Sequence, residues 1–310
     1  MPSQYSGKLI ARVVLAHILG ASNEVYHPLN PEFERRYGTA FQSDPLKQAI
    51  GKSRTGFFQA SSWNVNLSSG IDDVIRAITT TEDMVNSDVI AIQEIRTKDK
   101  SAENSLEKIK EATGFGYYCC IEMVEINGNS IEGDLGIAIL SRHRVIDSGI
   151  LNLEQEKYSI TNRGKHYLGR GTAVRAKIAK DGRDVVAYSA HLKLVDDLNG
   201  RRSQMIRLLE DSEKYRANPV IIGGDFNFIY ESQRGETLKG VRQHGFEDPF
   251  GDNGQPTLND TFWRIAGPLI LGGNGVLDRI MPRGLKTVHT KVHYDVGVSD
   301  HHPITAVYNF

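Results

Sequence analysis

Residues 220–228 read VIIGGDFNF, an apolar run that breaks on two glycines and then presents an acid and an amide. Side chains at positions i and i+2 of an extended backbone point the same way, so Asp225 and Asn227 would share one direction. The stretch therefore predicts a buried strand followed either by an Asx-type turn or by two ligands that face a site.

Apolar runs and amphipathic stretches alternate from residue 57 to the end of the chain. The spacing of the apolar residues predicts helices at 70–85, 101–112 and 202–217. Strands are predicted at 57–67, 88–95, 117–126, 135–141, 171–179, 184–192, 220–227, 276–282 and 304–310. Because several strands follow one another as hairpin-like pairs, the pattern indicates a layered α/β sandwich rather than a purely parallel sheet.

Residues 1–56 differ in character from the rest of the chain. They include a proline-containing, charged stretch with no clear strand pattern, which predicts an N-terminal extension of helix and loop before a domain at 57–310. Residues 9–20, LIARVVLAHILG, are too short an apolar run to span a bilayer, so we expect no transmembrane segment. They form either an amphipathic helix or part of a secretory signal. We expect a cytoplasmic protein, or a secreted one if residues 1–22 act as a signal peptide.

The composition of the 310-residue chain is that of an ordinary soluble protein, with a net charge of −1 and a pI near 6.8. Such a balance creates no overall positive field, so any polyanion would have to bind a local basic patch. The two cysteines, Cys119 and Cys120, are adjacent, and neither a disulfide framework nor a zinc-ligand spacing is present in the sequence.

Polar side chains follow several of the predicted strands. Each one alone is ordinary, because an Asn or Asp after a strand is usually a turn residue and a lone His is usually structural. Together they supply carboxylate, amide and imidazole groups, a set that suits Mg²⁺ or Mn²⁺ and the hydrolysis of a phosphodiester. No Ser or Cys stands in a nucleophile elbow, so water is expected to attack directly. The residues are Asn64, Glu94, His191, Asp225, Asn227, Asp278, Asp300 and His301.

Seven motifs, in order, resemble those of the endonuclease/exonuclease/phosphatase superfamily, which includes deoxyribonuclease I. They are SSWNVN, DVIAIQEIR, GIAILSR, YSAHLK, GGDFN, VLDRI and GVSDHHP, and they cover roughly residues 57–310. The resemblance implies a four-layer sandwich of two packed mixed β-sheets flanked by helices, with the site at the strand ends. It also implies a metal-dependent hydrolase.

The resemblance also implies a role for each polar residue. Glu94 would be the principal Mg²⁺ ligand, with Asn64 and Asp300 near the metal. Asp225 and Asn227 would orient or deprotonate the attacking water and contact the phosphate. Asp278 would hold His301 against the phosphate, and His191 would bind phosphate or assist the leaving group on the other side.

The substrate is predicted less directly. The histidine of YSAHLK resembles the deoxyribonuclease I, toxin-nuclease and sphingomyelinase branches, and Arg96 resembles an arginine that touches the nucleic-acid backbone. Arg96 is otherwise a solvated loop residue. A segment read in part as a glycine-rich loop adds candidate substrate-binding residues, namely Arg163, Lys165, Tyr167 (for stacking) and Arg170.

Three classes of function follow from these features. The first is a DNA endonuclease, which we favour, with DNA as the partner. The second is a phosphatase or phosphodiesterase acting on a small-molecule or lipid phosphate of the inositol phosphate or sphingomyelin type, which the near-neutral charge favours. The third is a non-catalytic binding module, and the complete set of candidate catalytic residues argues against it.

Overall fold

The structure, a computed structural model, describes residues 31–66, 70–96, 102–127, 130–154, 158–162, 165–192, 198–228, 231–251, 255–258 and 276–310. Its α-helices are α1 (Pro31–Arg36), α2 (Ile71–Thr80), α3 (Glu82–Val85), α4 (Ala102–Thr113), α5 (Leu198–Ser212) and α6 (Glu231–Gln243). No helix in this part of the chain is both long and apolar enough to cross a membrane.

The first sheet has nine strands among the described residues. They are β1 (Ala40–Ser43), β2 (Phe57–Asn64), β3 (Val89–Arg96), β4 (Gly116–Asn127), β5 (Ser130–Ser141), β7 (Tyr158–Asn162), β8 (Lys165–Gly169), β13 (Lys286–Val292) and β14 (Ile304–Asn309). Their order is β13-β14-β2-β3-β5-β4-β8-β7, and β1 also pairs with β4. Only β2 and β3 run parallel among the described pairs of this sheet.

The second sheet has five described strands, namely β6 (Val145–Asn152), β9 (Thr172–Lys180), β10 (Arg183–His191), β11 (Val220–Asp225) and β12 (Asp278–Arg283). Their order is β12-β11-β10-β9-β6. β10 and β11 are parallel and are joined through α5, whereas the other described pairs are antiparallel. Each sheet thus contains one strand–helix–strand unit whose two strands end at the same edge.

Alternating side chains divide the core into layers. In β11, Ile221 faces the other sheet, while Val220 and Ile222 face the helices. Successive residues of a strand point to opposite faces, so an uninterrupted apolar run buries both faces of the sheet. Further apolar residues pack the first sheet against α2, α3 and α4, and the second against α5 and α6. The predicted four-layer sandwich of two packed mixed β-sheets is confirmed.

The segment before residue 57 includes a strand, although mostly helix and loop were predicted there. β1 pairs antiparallel with β4, and its four residues are alternately exposed and half-buried. So short an edge strand has no apolar run to reveal it in the sequence. Phe33 of α1 is fully buried in the same core as Trp63, so the described part of this segment packs on the domain. Residues 1–30 lie outside the described residues.

The basic segment predicted in part as a glycine-rich loop differs as well. Lys165–Gly169 is β8, which pairs with both β4 and β7. A Cβ atom on Gly169, the glycine that ends β8, would lie 2.3 Å from Cγ of the Met123 side chain. Here the glycine permits a close approach within the sheet rather than a loop.

The two glycines of the opening stretch serve close packing. A Cβ atom on Gly223 would lie 3.1 Å from the Cβ atom of Ala91 in the other sheet. A Cβ atom on Gly224 would overlap the carbonyl oxygen of Ala190 in the neighbouring strand. Gly224 therefore requires the absence of a side chain, whereas a side chain at Gly223 would make a tight contact with the other sheet.

We expect Gly224→Ala to lower the free energy of unfolding by roughly 1–3 kcal/mol, because overpacking forces the backbone to move. Gly240→Ala is the matched control, since that glycine lies in α6 with open space around it. It should be neutral or stabilising by about 0.5–1 kcal/mol. Urea unfolding midpoints measure both, and equal midpoints for the two variants would contradict the packing account.

Candidate active site

The second sheet carries its candidate residues in a single row. His191 of β10 lies opposite Asp225 of β11, and Asp225 lies opposite Asp278 of β12. The side chains of all three are at least nine-tenths buried. The ladder therefore brings together three residues that are up to 87 positions apart in the sequence.

The first sheet contributes Asn64 and Glu94 at the ends of its parallel pair. Asn64 lies opposite Gln93, and a β-bulge between Ile92 and Ile95 contains Glu94. Glu94 has a φ of 57°, a conformation that is unusual for a residue with a side chain. A bulge redirects side chains, so the local backbone, rather than simple alternation, sets the direction of the Glu94 carboxylate.

The Asn64 side chain joins the two sheets. Its amide nitrogen donates to Glu94 Oε1 at 3.0 Å and to Asp225 Oδ2 at 3.1 Å. Its amide oxygen accepts a hydrogen bond from the backbone N–H of Asn66 at 3.0 Å. Asn64 thus holds a carboxylate from each sheet beside the other, with its nitrogen towards both of them.

For residues 220–228 the sequence predicted either an Asx-type turn or two ligands that face a site. The Asn227 backbone N–H donates to Asp225 Oδ1 at 3.0 Å, which is an Asx-type turn, and Asn227 has a φ of 51°. The Asn227 amide nitrogen donates to the carbonyl oxygen of Leu192 at 2.8 Å. Asp225 Oδ2 faces the other candidate residues, so the turn and the site share the same carboxylate.

His301 is fixed from several sides. Its Nδ1 lies 2.8 Å from Asp278 Oδ2, and its Nε2 lies 3.8 Å from Asp225 Oδ2. Its backbone is held by the Trp63 indole, which donates to the carbonyl oxygen, and by the Ser299 hydroxyl, which accepts from the N–H group. Asp300 lies directly before His301 in the loop that leads to β14.

His191 has a carboxylate partner that was missing from the predicted site. Glu122 of β4 is completely buried, and both of its carboxylate oxygens lie 3.2 Å from His191 Nδ1. His191 Nε2 lies 3.6 Å from Glu94 Oε1 and 3.9 Å from Asp225 Oδ2. A sequence signal for Glu122 exists, because it is an acid inside the apolar run YYCCIEMVEI. Its partner, however, is set by the packing of the sheets.

Burial and neighbouring charges shift the pKa values of these groups. Burial raises the pKa of Glu94 and of Asp278 above their ordinary values. Burial alone would lower the pKa of each imidazole, but adjacent carboxylates outweigh it. Glu122, aided by Glu94, raises the pKa of His191 to about 10. Asp278 is the main carboxylate that raises the pKa of His301 well above its usual range.

The predicted substrate-binding residues lie beside this site with unequal exposure. Arg96 forms an ion pair with Glu125 and lies 3.5 Å from the Tyr167 hydroxyl. The Tyr167 side chain is only 2% exposed, so in this structure its ring is not accessible for base stacking. Arg170 is half-buried, and its guanidinium lies 4.8 Å from the centre of the Tyr37 ring.

Two further residues, Arg163 and Lys165, were predicted to bind the substrate. Lys165 is the first residue of β8, and its backbone pairs with Asn162 of β7. Arg163 lies outside the described residues.

The donor set fits a hard divalent cation. The carboxylates of Glu94 and Asp225 both accept from the Asn64 amide. Burial raises the pKa of Glu94, and Asp300 is close enough for its charge to raise it further. Oxygen ligands of this type suit Mg²⁺ or Mn²⁺. A second grouping is formed by Asp225, Asp278 and His301, whose ligand atoms lie within 4.8 Å of one another. In that grouping the Asp278 carboxylate is already bound to the His301 ring.

Comparison with known proteins agrees with this fold. The profile of the Endonuclease/Exonuclease/phosphatase family matches residues 61–301. No curated protein matches the sequence significantly. A solved endonuclease/exonuclease/phosphatase from Beutenbergia cavernae is similar with a TM-score of 0.64 and 14% identity, over 82% of this chain and 72% of that chain.

Two other solved structures are similar over the same share of the chain. A family protein from Leptotrichia buccalis has a TM-score of 0.58 and 19% identity, with 82% of this chain and 100% of that chain covered. D. rerio TDP2 complexed with single strand DNA product has a TM-score of 0.59 and 17% identity, with 82% and 99% covered. The chain therefore belongs to the Endonuclease/Exonuclease/phosphatase family, whose members are hydrolases that act on phosphate esters.

Proposed function

We propose that this protein is a Mg²⁺-dependent phosphodiesterase in which water attacks the phosphorus directly, and that it acts as a DNA endonuclease. The observation that carries this proposal is the position of Asp225 between two imidazoles, each of which has its own carboxylate partner. This arrangement offers a carboxylate to the attacking water and protonated groups on both sides for a phosphate.

Glu94 and Asp300 would hold the metal, and Asn64, whose amide nitrogen faces Glu94 while its oxygen accepts from Asn66, would lie beside it. Burial and the negative charges of Asp300 and Glu122 destabilise the ionised form of the Glu94 carboxylate. A divalent cation bound to that carboxylate would offset this cost. Bound there, Mg²⁺ or Mn²⁺ would supply positive charge to neutralise a phosphate oxygen. Asn64 would keep Glu94 and Asp225 in their relative positions, because its amide contacts both.

The remaining residues would activate the attacking water, bind the phosphate and protonate the leaving oxygen. Asp225, oriented with Asn227 in the turn, would position and deprotonate the attacking water. With a raised pKa, His301 is an imidazolium at neutral pH, and Asp278 would hold it against the phosphate. His191, held by Glu122, is protonated in the same way and would donate a hydrogen bond or a proton to the leaving oxygen.

DNA is favoured as the substrate because two arginines contact β4, the strand that carries Glu122. Arg96 pairs with Glu125, and the backbone N–H of Arg170 donates to the Glu122 carbonyl oxygen. Arginine side chains commonly bind backbone phosphates. The TDP2 structure in complex with single strand DNA product supports this choice by similarity of fold. The net charge of −1 favours the second candidate, a phosphatase or phosphodiesterase acting on an inositol phosphate or a sphingomyelin-type lipid.

Glu94→Gln should lower metal-dependent cleavage by roughly 100-fold or more, because a bound ion is expected to contribute several kcal/mol to the transition state. Glu82→Gln, at an exposed glutamate of α3, is the control and should cleave at the wild-type rate. Single-turnover cleavage with and without EDTA measures the effect. A Glu94→Gln protein that cleaves like the wild type would refute the metal assignment.

Glu122→Gln should lower the pKa of His191 by more than about one pH unit, since the charge that opposes burial is removed. In the wild type that pKa is raised to about 10 from an ordinary 6.5. The pair therefore stabilises the fold below about pH 6.5, and this stabilisation is lost as the pH rises towards 10. NMR titration of the His191 ring in EDTA tests this. An unchanged titration in Glu122→Gln would show that the pair is not coupled.

Supercoiled plasmid should be nicked in Mg²⁺ and protected by EDTA. Arg170→Ala should raise the KM for DNA and reduce the salt slope by about 1, as expected for one lost phosphate contact. Hydrolysis should also be assayed, under the same conditions, with single-stranded DNA, RNA, inositol phosphates and sphingomyelin as substrates. Hydrolysis of a lipid or inositol phosphate with intact plasmid would instead establish the second candidate function.

A further inference from the structure

The segment of residues 31–43 lies before the residues that match the family profile, yet it packs beside the candidate site. The profile match begins at residue 61. The backbone of Gly38 donates to the carbonyl oxygen of Ile121 at 3.0 Å, and Ile121 donates to that of Thr39 at 3.1 Å. These bonds end one residue short of Glu122, the carboxylate partner of His191.

The segment is held in a defined position. Phe33 is fully buried in the core next to the first sheet, and Arg36 forms an ion pair with the buried Asp134 at 2.7 Å. The ring of Tyr37 stacks on that of Phe33, with 5.4 Å between ring centres. Tyr37 is therefore anchored by its own segment before it contacts the second sheet.

The hydroxyl group of Tyr37 reaches the row of residues that carries the candidate catalytic side chains. It lies 2.8 Å from Thr172 Oγ1 and donates to Asn152 Oδ1 at 3.1 Å. Thr172 lies opposite Asn152 on one side and opposite His191 on the other. Tyr37 is thus hydrogen-bonded to Thr172 and Asn152. These two residues continue the row of His191, Asp225 and Asp278 towards the edge of the second sheet.

The ring of Tyr37 makes a second contact, with Arg170. The guanidinium of Arg170 lies 4.8 Å from the Tyr37 ring centre and 5.9 Å from that of Phe33. The Arg170 backbone N–H donates to the carbonyl oxygen of Glu122 at 3.3 Å. Burial raises the pKa of Tyr37 to about 12, so its hydroxyl keeps its proton across the working pH range.

We propose that Tyr37 is a positioning residue of the active site. Its hydroxyl fixes Thr172 and, through it, the strand that carries His191, while its ring holds Arg170 in place for a flanking phosphate of a nucleic acid. The second part rests on the proposed function, whereas the first part concerns the position of His191 alone. The segment before the family match would then contribute to both rate and substrate binding.

Two substitutions at Tyr37 distinguish the contribution of its hydroxyl group from that of its ring. Tyr37→Phe keeps the ring, so kcat on DNA should fall about threefold to tenfold while KM stays within about twofold. Tyr37→Leu removes both groups, so KM should also rise by roughly threefold to tenfold. Thr172→Val should reproduce the kcat loss of Tyr37→Phe. Because both substitutions remove the same hydrogen bond, the double variant with Tyr37→Phe and Thr172→Val should be no slower than either single variant.

Phe41→Leu is the control, because Phe41 lies in the same segment, packs on the core and has its backbone opposite Cys119 of β4. It should leave kcat and KM unchanged. Equal kcat and KM losses in Phe41→Leu and Tyr37→Leu would overturn the proposal, since they would reflect loosening of the whole segment. Wild-type kcat in Tyr37→Phe would overturn the role of the hydroxyl.

A measurement without turnover separates this inference from the proposed function. The NMR signal of the His191 ring, recorded at fixed pH in EDTA, should move in Tyr37→Phe and in Thr172→Val but not in Phe41→Leu. An unmoved signal in Tyr37→Phe would refute the positioning of His191 whatever the substrate. A wild-type protein that leaves DNA intact would refute the DNA endonuclease function and the role of Arg170, and the His191 signal would still decide the first part.

Discussion

The Asn64 amide connects a carboxylate of one sheet to a carboxylate of the other, and the candidate site depends on that contact. It can form only where the two sheets approach closely, and Gly223 permits this approach beside Ala91. A second polar contact crosses the sheets nearby, because the Gln93 amide donates to the Ser189 hydroxyl at 2.9 Å. The distance between the sheets therefore sets the distance between Glu94 and Asp225, and any change in inter-sheet packing would alter the site.

Charge organises the same region. Buried carboxylates and imidazoles are costly unless they are paired, and two pairs are present, His191 with Glu122 and His301 with Asp278. The pairs raise the pKa of both histidines and leave Asp225 between them. Among the described contacts of the Glu94 carboxylate, two favour its negative charge. The Asn64 amide donates a hydrogen bond to it, and His191 Nε2 lies 3.6 Å from its Oε1. A cation at this point would complete the balance of charge, which links the geometry to metal-dependent chemistry.

Much of this arrangement was predictable because strand ends are visible in the sequence. The apolar runs before Asn64, Glu94, His191 and Asp225 indicated the strands and the layered fold. Contacts that depend on register or on sheet packing were not predictable. Glu122 meets His191 only through the packing of the two sheets, β1 is too short to show a pattern, and Tyr167 is buried by its neighbours although its segment resembled a loop.

The metal site is the claim on which the proposed chemistry rests, and anomalous diffraction from crystals soaked in Mn²⁺ would test it most directly. We expect an anomalous peak at coordination distance from the Glu94 carboxylate, beside Asn64 and Asp300. A peak held only by Asp278 and His301 would contradict this assignment, since that pair would then bind metal instead of acting on the phosphate. The absence of a peak at saturating Mn²⁺ would contradict metal-dependent hydrolysis at this site.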